Sequence, residues 1–314
     1  MASAPLTVPP RALRIVCPAC RGTLSGTAKA PVCDTCGSRY LIREGFVDLV
    51  VGERYDDDTL DCALENEETT NRETVERYWI PLFRRLWPEG AKGRRILSVG
   101  CGVGADVEQL VDAGFDAYGI DNGKRVAHWL RRKCAERLFC GNGRHMPFED
   151  SSFDLIFCGC VFPHVGVVGT SFRTTPDYFQ QRLELAAEMA RVLRPGGRIV
   201  SCNPNRFFPF DIFHGHQAGK MTLRPTPPWQ HLLLSRGDYL EMFRRFGCVR
   251  AVALPVSGYW SFSNSRKTWK GRLLAAPVDF LFRLVSNLSI LRGSPLNPWL
   301  IVMLEKGAAV PASD

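Results

Sequence analysis

Four cysteines near the beginning of the chain are spaced for metal binding. Two residues separate Cys17 from Cys20, twelve more follow, and Cys33 and Cys36 repeat the pair. Each pair places two thiolates on one side of a turn, and two such turns complete a tetrahedral zinc site. Because all four ligands are cysteines, we expect the site to be closed and structural. Free thiols or two disulfides are the alternatives.

A glycine-rich turn is the second group of residues that could bind a ligand. The apolar run at Ile96 and Leu97 predicts a short buried strand, and Gly100, Gly102 and Gly104 lead from it into a helix. Glycine allows a backbone to turn sharply and a ligand to approach closely. Free N–H groups at the start of the helix favour an anionic or electron-rich ligand. The turn alone is typical of many nucleotide-binding folds.

An acidic residue follows at the spacing that this turn requires. The segment FDAYGID alternates like a strand and ends in Asp121. An acid at the end of the second strand of a βαβ unit accepts hydrogen bonds from ribose hydroxyls. The turn and Asp121 together indicate a nucleoside-containing ligand.

Four segments now form a series that resembles a known family. LSVGCGVG, YGID, GNGRHMPFEDSSFDLIF and ARVLRPGGRIVS resemble the class I S-adenosylmethionine-dependent methyltransferases of the type 11, UbiE-like group. The resemblance covers roughly residues 94–206 and the end of the chain. It implies an α/β fold with a Rossmann-like seven-stranded methyltransferase sheet, and S-adenosyl-L-methionine as cofactor. The cofactor-binding residues that it implies are Gly100, Cys101, Gly102, Gly104, Asp121, Asn122, Asn142, Gly143 and Cys158.

Two positions depart from the pattern of that family. Asn142 stands where the family usually has an acid that accepts a hydrogen bond from the adenine amine, and its amide oxygen can still accept it. Ser98 stands where the family usually has an acid that helps bind the ammonium group of the cofactor. These departures leave a non-catalytic adaptor that has kept the cofactor fold as an alternative.

Three histidines are the candidate catalytic bases. His164 follows the predicted fourth strand, FDLIFCG, where the family often has a histidine, and His214 and His216 lie in a later aromatic segment. Each could remove a proton from an acceptor hydroxyl. The alternatives are a loop histidine that shapes the pocket, for His164, and a metal pair, for His214 and His216.

The domain organisation follows from the motifs. Residues 1–52 are predicted to form a zinc ribbon, which resembles the Trm112-like type. It is also similar to the ribbon of bacterial ribosomal-RNA guanine methyltransferases, whose last ligand tends to be a histidine. Residues 53–92 are predicted to be an acidic linker and a cleft-covering helix, Asn71 to Trp87. Residues 93–314 are predicted to be the methyltransferase domain, with insertions at about 207–236 and 259–295.

The composition limits the location and the partners. The chain has 314 residues, a net charge of +8 and twelve cysteines. We see no secretory signal and no membrane-spanning run, and the cysteines indicate a reducing compartment, so the prediction is cytoplasmic. The positive charge permits RNA or an anionic surface as a partner, but it is spread along the chain.

The acceptor remains open between two classes of substrate. The aromatic insertions favour a hydroxyl or nitrogen of a small molecule, a natural product or a lipid-linked glycan. The ribbon would fit an RNA base methyltransferase that docks RNA through it. It could also bind a partner protein. We expect the second insertion to pack as a lid; the alternatives are that it covers an apolar substrate or lies on a membrane surface.

Overall fold

The fold is organised around one large mixed sheet. The computed structural model describes residues 12–27, 30–54, 61–168, 173–211, 224–227, 229–261 and 269–308. Its strands are β1 (Leu24–Thr27), β2 (Ala30–Cys33), β3 (Ile42–Arg43), β4 (Phe46–Leu49), β5 (Arg95–Val99), β6 (Asp116–Asp121), β7 (Leu138–Gly141), β8 (Phe153–Gly159), β9 (Leu193–Pro204), β10 (Phe210–Asp211), β11 (Arg224–Pro225), β12 (Cys248–Ala253) and β13 (Trp299–Lys306). Its α-helices are α1 (Asp61–Thr74), α2 (Ile80–Leu86), α3 (Ala105–Asp112), α4 (Tyr178–Val192), α5 (Arg236–Arg244) and α6 (Trp269–Asn287).

The strand order confirms the predicted methyltransferase-type sheet. The nine strands run in the order β12-β13-β9-β8-β5-β6-β7-β4-β3. Strands β5 to β9 pair in parallel, and β13 lies antiparallel between β9 and β12. The first seven strands of this order are the predicted ones. The other two belong to the predicted ribbon, so the sheet is longer than the sequence indicated.

The central strands are buried on both faces, as parallel strands between helices must be. Along β5, Ile96 packs into one apolar cluster with Trp79 and Phe83, and the next residue, Leu97, packs into the opposite cluster with Phe153. This alternation fixes the register of the strand, since a slip of one residue would exchange the two faces.

The cleft-covering helix is longer than predicted. It begins at Asp61 as α1, widens into a π-helical turn at Val75–Trp79, and continues as α2 to Leu86. The predicted start was Asn71, so that limit was wrong and part of the acidic segment is helical. The apolar face carries Val75, Tyr78, Trp79, Leu82 and Phe83, all buried at helical spacing.

The two insertions contain regular structure as well. The short hairpin of β10 and β11 lies in the first insertion, and α6 lies in the second. Among the described residues, no helix combines the length and the apolarity needed to cross a membrane. The segments that close the domain, α5, β12 and β13, lie where the sequence predicted a helix and two strands.

Candidate functional site

The glycine turn after β5 has the backbone geometry that only glycine adopts easily. Gly100, Gly102 and Gly104 all have a positive φ, at 73°, 55° and 74°. A Cβ built on Gly100 would lie 2.5 Å from a methyl carbon of Val161. The turn therefore leaves no room for a side chain at Gly100, and α3 begins directly after Gly104.

Two side chains from the segment after β6 hold the carbonyls of this turn. The indole Nε1 of Trp129 donates to the Gly102 carbonyl at 2.8 Å, and the Nε of Arg132 donates to the Val103 carbonyl at 2.9 Å. Both side chains are buried. These two hydrogen bonds hold the Gly102 and Val103 carbonyls in one orientation.

Asp121 lies against this turn. Its Oδ2 accepts from the Gly102 N–H at 2.6 Å, and its Oδ1 accepts from the Asn122 N–H at 2.7 Å. The structure thus brings the end of β6 and the glycine turn together, as the sequence predicted. Contact of Asp121 with a ribose, and of Asn122 with the cofactor, stays a prediction.

A second carboxylate lies beside the turn, and the sequence did not reveal it. Asp106, in the first turn of α3, is buried, and its Oδ2 accepts from the Ser98 hydroxyl at 2.5 Å. Burial raises the pKa of Asp106 to about 6 and the Asp121 carboxylate adds to the rise, although hydrogen bonds from Ser98 and the Val107 N–H oppose it. Asp106 therefore supplies a carboxylate next to the position where Ser98 lacks one.

Asn142 contacts the segment that follows β4. Its Nδ2 donates to the carbonyls of Val51 and Glu53 at 3.0 and 3.1 Å, and its Oδ1 accepts from the Arg144 N–H at 3.0 Å. An amide can donate these two bonds, whereas the acid that is usual in the family cannot. The amide oxygen keeps a second lone pair for the predicted adenine contact.

The remaining predicted cofactor residues differ in their surroundings. Cys101 is buried under the turn, where a Cβ on Gly119 would lie 2.7 Å from its Sγ. Gly143 lies close to Leu185, which a Cβ would approach to 2.9 Å. The Cys158 thiol points into the core, at 3.2 Å from the Ser201 hydroxyl, so only its backbone could meet a cofactor.

His164 is the one candidate base within the described residues. It ends a short 3-10 helix, Phe162–His164, just after the carboxyl end of β8, and its side chain is exposed. His214 and His216 lie outside the described residues, so their place relative to the turn stays a prediction.

Aromatic side chains form a wall beside the same edge of the sheet. Tyr259 packs against Tyr78, Trp79 and Trp299, with ring centroids 5.3 to 5.8 Å apart. A Cβ on Gly159, the last residue of β8, would lie 3.8 Å from the Tyr259 hydroxyl. The wall therefore reaches the carboxyl end of β8, where ligands bind in open α/β sheets.

The four ribbon cysteines converge as predicted. All their Sγ atoms lie within 4.8 Å of one another, with Cys17 and Cys36 3.7 Å apart and Cys20 and Cys33 3.4 Å apart. Zinc–sulfur bonds of about 2.3 Å in a tetrahedron require sulfur separations near these values. The Tyr40 hydroxyl lies 3.0 Å from the Cys17 Sγ and is placed to support that ligand. The cluster fits a structural zinc ion.

The family comparison agrees with the strand order and the turn. Residues 97–201 match the family described as "Methyltransferase domain". Residues 97–201, a third of the chain, therefore form a methyltransferase domain. Outside this segment lie the ribbon, the cleft-covering helix and the last two strands of the sheet.

The similar curated proteins are demethylmenaquinone methyltransferases. That of Geobacillus sp. is 31% identical over 119 residues, 35% of this chain and 44% of that protein. That of Beutenbergia cavernae is 27% identical over 204 residues, 62% of this chain and 70% of that protein. The chain thus spans less than half the length of the first relative.

Solved structures show weaker likeness. A chain of the complex containing the Haloferax volcanii Trm112 methyltransferase activator is 14% identical, with 80% of this chain and 99% of that chain covered and a TM-score of 0.44. A SAM-dependent methyltransferase from Aquifex aeolicus is 16% identical, with 64% and 95% covered and a TM-score of 0.42. At these scores the fold assignment depends on the strand order itself.

Proposed function

We propose that the protein transfers a methyl group from S-adenosylmethionine to a hydroxyl or nitrogen of a small, natural-product or lipid-linked acceptor. One observation supports the proposal: the glycine turn with its two carboxylates follows β5, and the aromatic wall at Tyr259 lies beside the carboxyl end of β8, the strand that pairs with β5. A cationic cofactor suits the carboxylates, and an apolar acceptor suits the wall.

Each of these residues has its own contact with the cofactor or the acceptor in this proposal. Asp121 accepts from the ribose hydroxyls, Asn142 accepts from the adenine amine, and Asp106 faces the ammonium group. The cofactor supplies a methyl group that its sulfonium already activates, so the protein mainly aligns donor and acceptor. For a hydroxyl acceptor, His164 is the described residue at this edge that can take the proton, and His214 and His216 are the further candidates.

The relatives suggest a first acceptor to test. Their acceptor, by name, is demethylmenaquinone, which makes a quinone-type lipid a reasonable probe. RNA is the competing acceptor, because the ribbon resembles those of RNA-modifying enzymes. The contacts of the ribbon with β7 and Asn142 support a role inside this chain instead.

The cofactor pocket is tested by replacing one glycine. Gly102→Asp places a side chain on the turn at a positive φ and a third carboxyl beside Asp121, so we expect calorimetric S-adenosylmethionine binding to be lost. Gly114→Asp is the matched control, because Gly114 also has a positive φ, at 88°, and no atom lies within 4 Å of its added Cβ. Unchanged binding in Gly102→Asp would mean that the pocket lies elsewhere.

The acceptor class is tested by following the methyl label. Purified protein and methyl-labelled S-adenosylmethionine are added to an extract of cells lacking the protein, and in parallel to demethylmenaquinone in detergent. We expect label in the organic-soluble or small-molecule fraction and none with Gly102→Asp. Label in RNA would overturn the acceptor proposal, and cofactor binding without any transfer would favour the adaptor.

We further propose a cytoplasmic location, which the thiols support. Eleven cysteines lie among the described residues, and four of them form the metal cluster while most of the others are buried thiols. Thiolate ligands and buried thiols persist in reducing compartments. Fractionation that found the protein in an oxidising compartment would contradict this.

A further inference from the structure

Helix α6 carries a stripe of large apolar side chains on its exposed side. Leu273 is 69% exposed, Phe280 68% and Leu284 42%, and Trp269 at the start of the helix is 66% exposed. At about 100° of rotation per residue, these four positions fall within about 60° of one another on the helix surface. They therefore form one continuous face rather than scattered exposures.

The opposite side of the same helix is already buried in the core. Phe282 and Val285 are 4% and 1% exposed, and they belong to the cluster that contains Trp79 and Tyr259. A surface helix normally turns polar residues to the outside once its core face is satisfied. In α6 the outside is apolar as well, within the part of the chain that the structure describes.

The sequence of α6 and its flanking residues is mostly positive in charge. Residues 266–292 contain six lysines and arginines and a single acid, Asp279. Arg272 and Arg283 are exposed and lie next to the stripe on the helix surface. A basic border on an apolar face matches a surface that is apolar inside and anionic at its boundary.

We propose that α6 and the residues that follow it dock the protein on an anionic lipid membrane. The helix would lie in the plane of the interface, with Leu273, Phe280 and Leu284 among the acyl chains and the arginines at the headgroups. Trp269 is of the residue type that favours the boundary between lipid and water. Leu288 and Ile290, 48% and 84% exposed, extend the apolar face beyond the helix.

Helix α6 is joined by hydrogen bonds to the segment that precedes the aromatic wall. The buried Ser286 hydroxyl of α6 accepts from the N–H groups of Val256 and Ser257 at 3.0 and 2.8 Å. This segment leads into Tyr259, which lies beside the end of β8. The inference rests on the proposed function in this respect: a lipid-linked acceptor would leave the bilayer next to the site.

Vesicle flotation tests the docking without cofactor or acceptor. The full chain is mixed with vesicles of phosphatidylcholine alone or of phosphatidylcholine with phosphatidylglycerol. We expect it to float with the anionic vesicles and several-fold less with the neutral ones. Leu273→Gln/Phe280→Gln should reduce flotation at least tenfold, and Arg272→Gln/Arg283→Gln should remove the preference for anionic lipid.

Matched control variants replace exposed apolar side chains or exposed arginines elsewhere on the surface. Leu130→Gln/Val249→Gln replaces two apolar residues that are 66% and 74% exposed, and Arg84→Gln/Arg85→Gln removes two exposed arginines of α2. Both control variants should float as the unchanged protein does. Flotation that is equal in all variants would overturn the proposal, as would no flotation of the unchanged protein.

Light scattering in the absence of lipid tests whether a second copy of the chain covers the stripe instead of a membrane. A dimer that becomes a monomer in Leu273→Gln/Phe280→Gln would assign the stripe to a second copy of the chain and overturn the membrane proposal. The two proposals fail separately. Protein that floats but transfers no methyl contradicts the proposed function alone, and protein that methylates without floating contradicts the membrane proposal alone.

Discussion

At the scale of single residues, a buried carboxylate lies next to the altered position at Ser98. Ser98 lacks the carboxylate that its position usually has, and Asp106 brings one to the Ser98 hydroxyl from the first turn of α3. Ser98 thereby changes from a potential cofactor ligand to the hydrogen-bond donor that orients Asp106. Because ionised Asp106 and Asp121 repel each other, a bound cation would relieve both.

Asp106 should make cofactor affinity depend on pH. Its pKa is raised to about 6, and a cationic cofactor favours the ionised form, so binding must displace a proton at lower pH. We expect S-adenosylmethionine affinity to fall by up to about tenfold per pH unit below about pH 6. Asp106→Asn should bind roughly tenfold or more weakly at pH 7.5 and show no such fall. Calorimetry from pH 5 to 7.5 measures both effects.

Asp106→Asn should weaken cofactor binding without weakening the fold, so that a loss of affinity can be told apart from a loss of stability. Because the pKa of Asp106 in the folded protein lies above its ordinary value of 3.8, the stability that the protonated form provides is lost as the pH rises from about 3.8 through about 6. Asp106→Asn should therefore unfold at the same or a higher temperature near neutral pH. Asp112→Asn, at the exposed end of α3, is the control and should keep the affinity and its pH profile. A pH-dependent fall that persists in Asp106→Asn would assign the proton to another group, such as Asp121.

At the scale of elements, an ion-pair network ties α1 to the glycine turn. Glu68 accepts from Arg132 at 2.8 Å and from Arg72 at 3.2 Å, and Arg132 also donates to the Val103 carbonyl. Hydrogen bonding with Arg132, whose side chain is 3% exposed, is the main cause that lowers the pKa of Glu68 to about 2. Helix α1 is thus held against the rest of the domain by charges and not by apolar contacts alone.

Glu68→Gln should loosen this helix. It leaves part of the buried Arg132 charge unbalanced, so we expect a loss of about 1–3 kcal/mol in the free energy of unfolding and weaker cofactor binding. Since the pKa of Glu68 is lowered on folding, its contribution is present above about pH 4.5 and is lost as the pH falls toward 2. Urea denaturation measures the loss.

Glu76→Gln is the control, because Glu76 is exposed on the following π-helical turn. It should change the free energy of unfolding by less than about 0.5 kcal/mol, and a loss equal to that of Glu68→Gln would contradict the proposed role of Glu68.

The ribbon is a second element that contacts the rest of the domain at several points. Its strand β4 pairs with β7, Arg21 forms an ion pair with Glu188 of α4 at 3.2 Å, and Phe46 packs edge-on against Trp129 at 5.3 Å. Trp129 holds the glycine turn from behind. The metal cluster is therefore connected to the glycine turn through a short series of contacts.

Removal of the metal should weaken the whole domain. Elemental analysis should find one zinc per chain, and Cys33→Ser should lower that content and reduce the melting temperature by roughly 5 °C or more. Cofactor affinity should fall with it, because the ribbon supports Trp129 and Asn142. Cys248→Ser, a buried thiol in β12, should leave the zinc content unchanged. Full zinc content in Cys33→Ser, or unchanged cofactor binding after chelation, would contradict this connection.

At the scale of the whole molecule, the sequence predicted what depends on local spacing. The glycine turn, the place of Asp121 and the four-cysteine cluster follow from residues close together in the chain. The partners of Glu68 and Asn142 could not be found in this way, because Arg132 is 64 residues from Glu68 and Val51 is 91 residues from Asn142. Glu68 resembled part of a solvated linker for the same reason, because its partner Arg132 comes from elsewhere in the fold.

Membrane docking belongs to this scale as well, because it depends on two sides of one helix. The sequence of α6 shows apolar residues around most of its circumference, which is typical of a buried helix or a lid. Only the packing of Phe282 and Val285 shows which side faces the core, and so leaves Leu273 and Phe280 outside. That the second insertion acts as a lid stays a prediction; the inner face of α6 packs against the core, and its outer face carries the apolar stripe.

The pairing of β4 with β7 also bears on the order in which the chain folds. An open sheet edge is a template for aggregation, and β7 would be such an edge if the methyltransferase sheet formed alone. The ribbon precedes β7 by about ninety residues, as the pairing of Asp48 with Cys140 shows, and it can fold around its metal before β7 leaves the ribosome. The ribbon would then cover the edge of β7 as soon as this strand forms. A shortage of zinc during synthesis would therefore produce insoluble protein before it reduced the activity of the soluble protein.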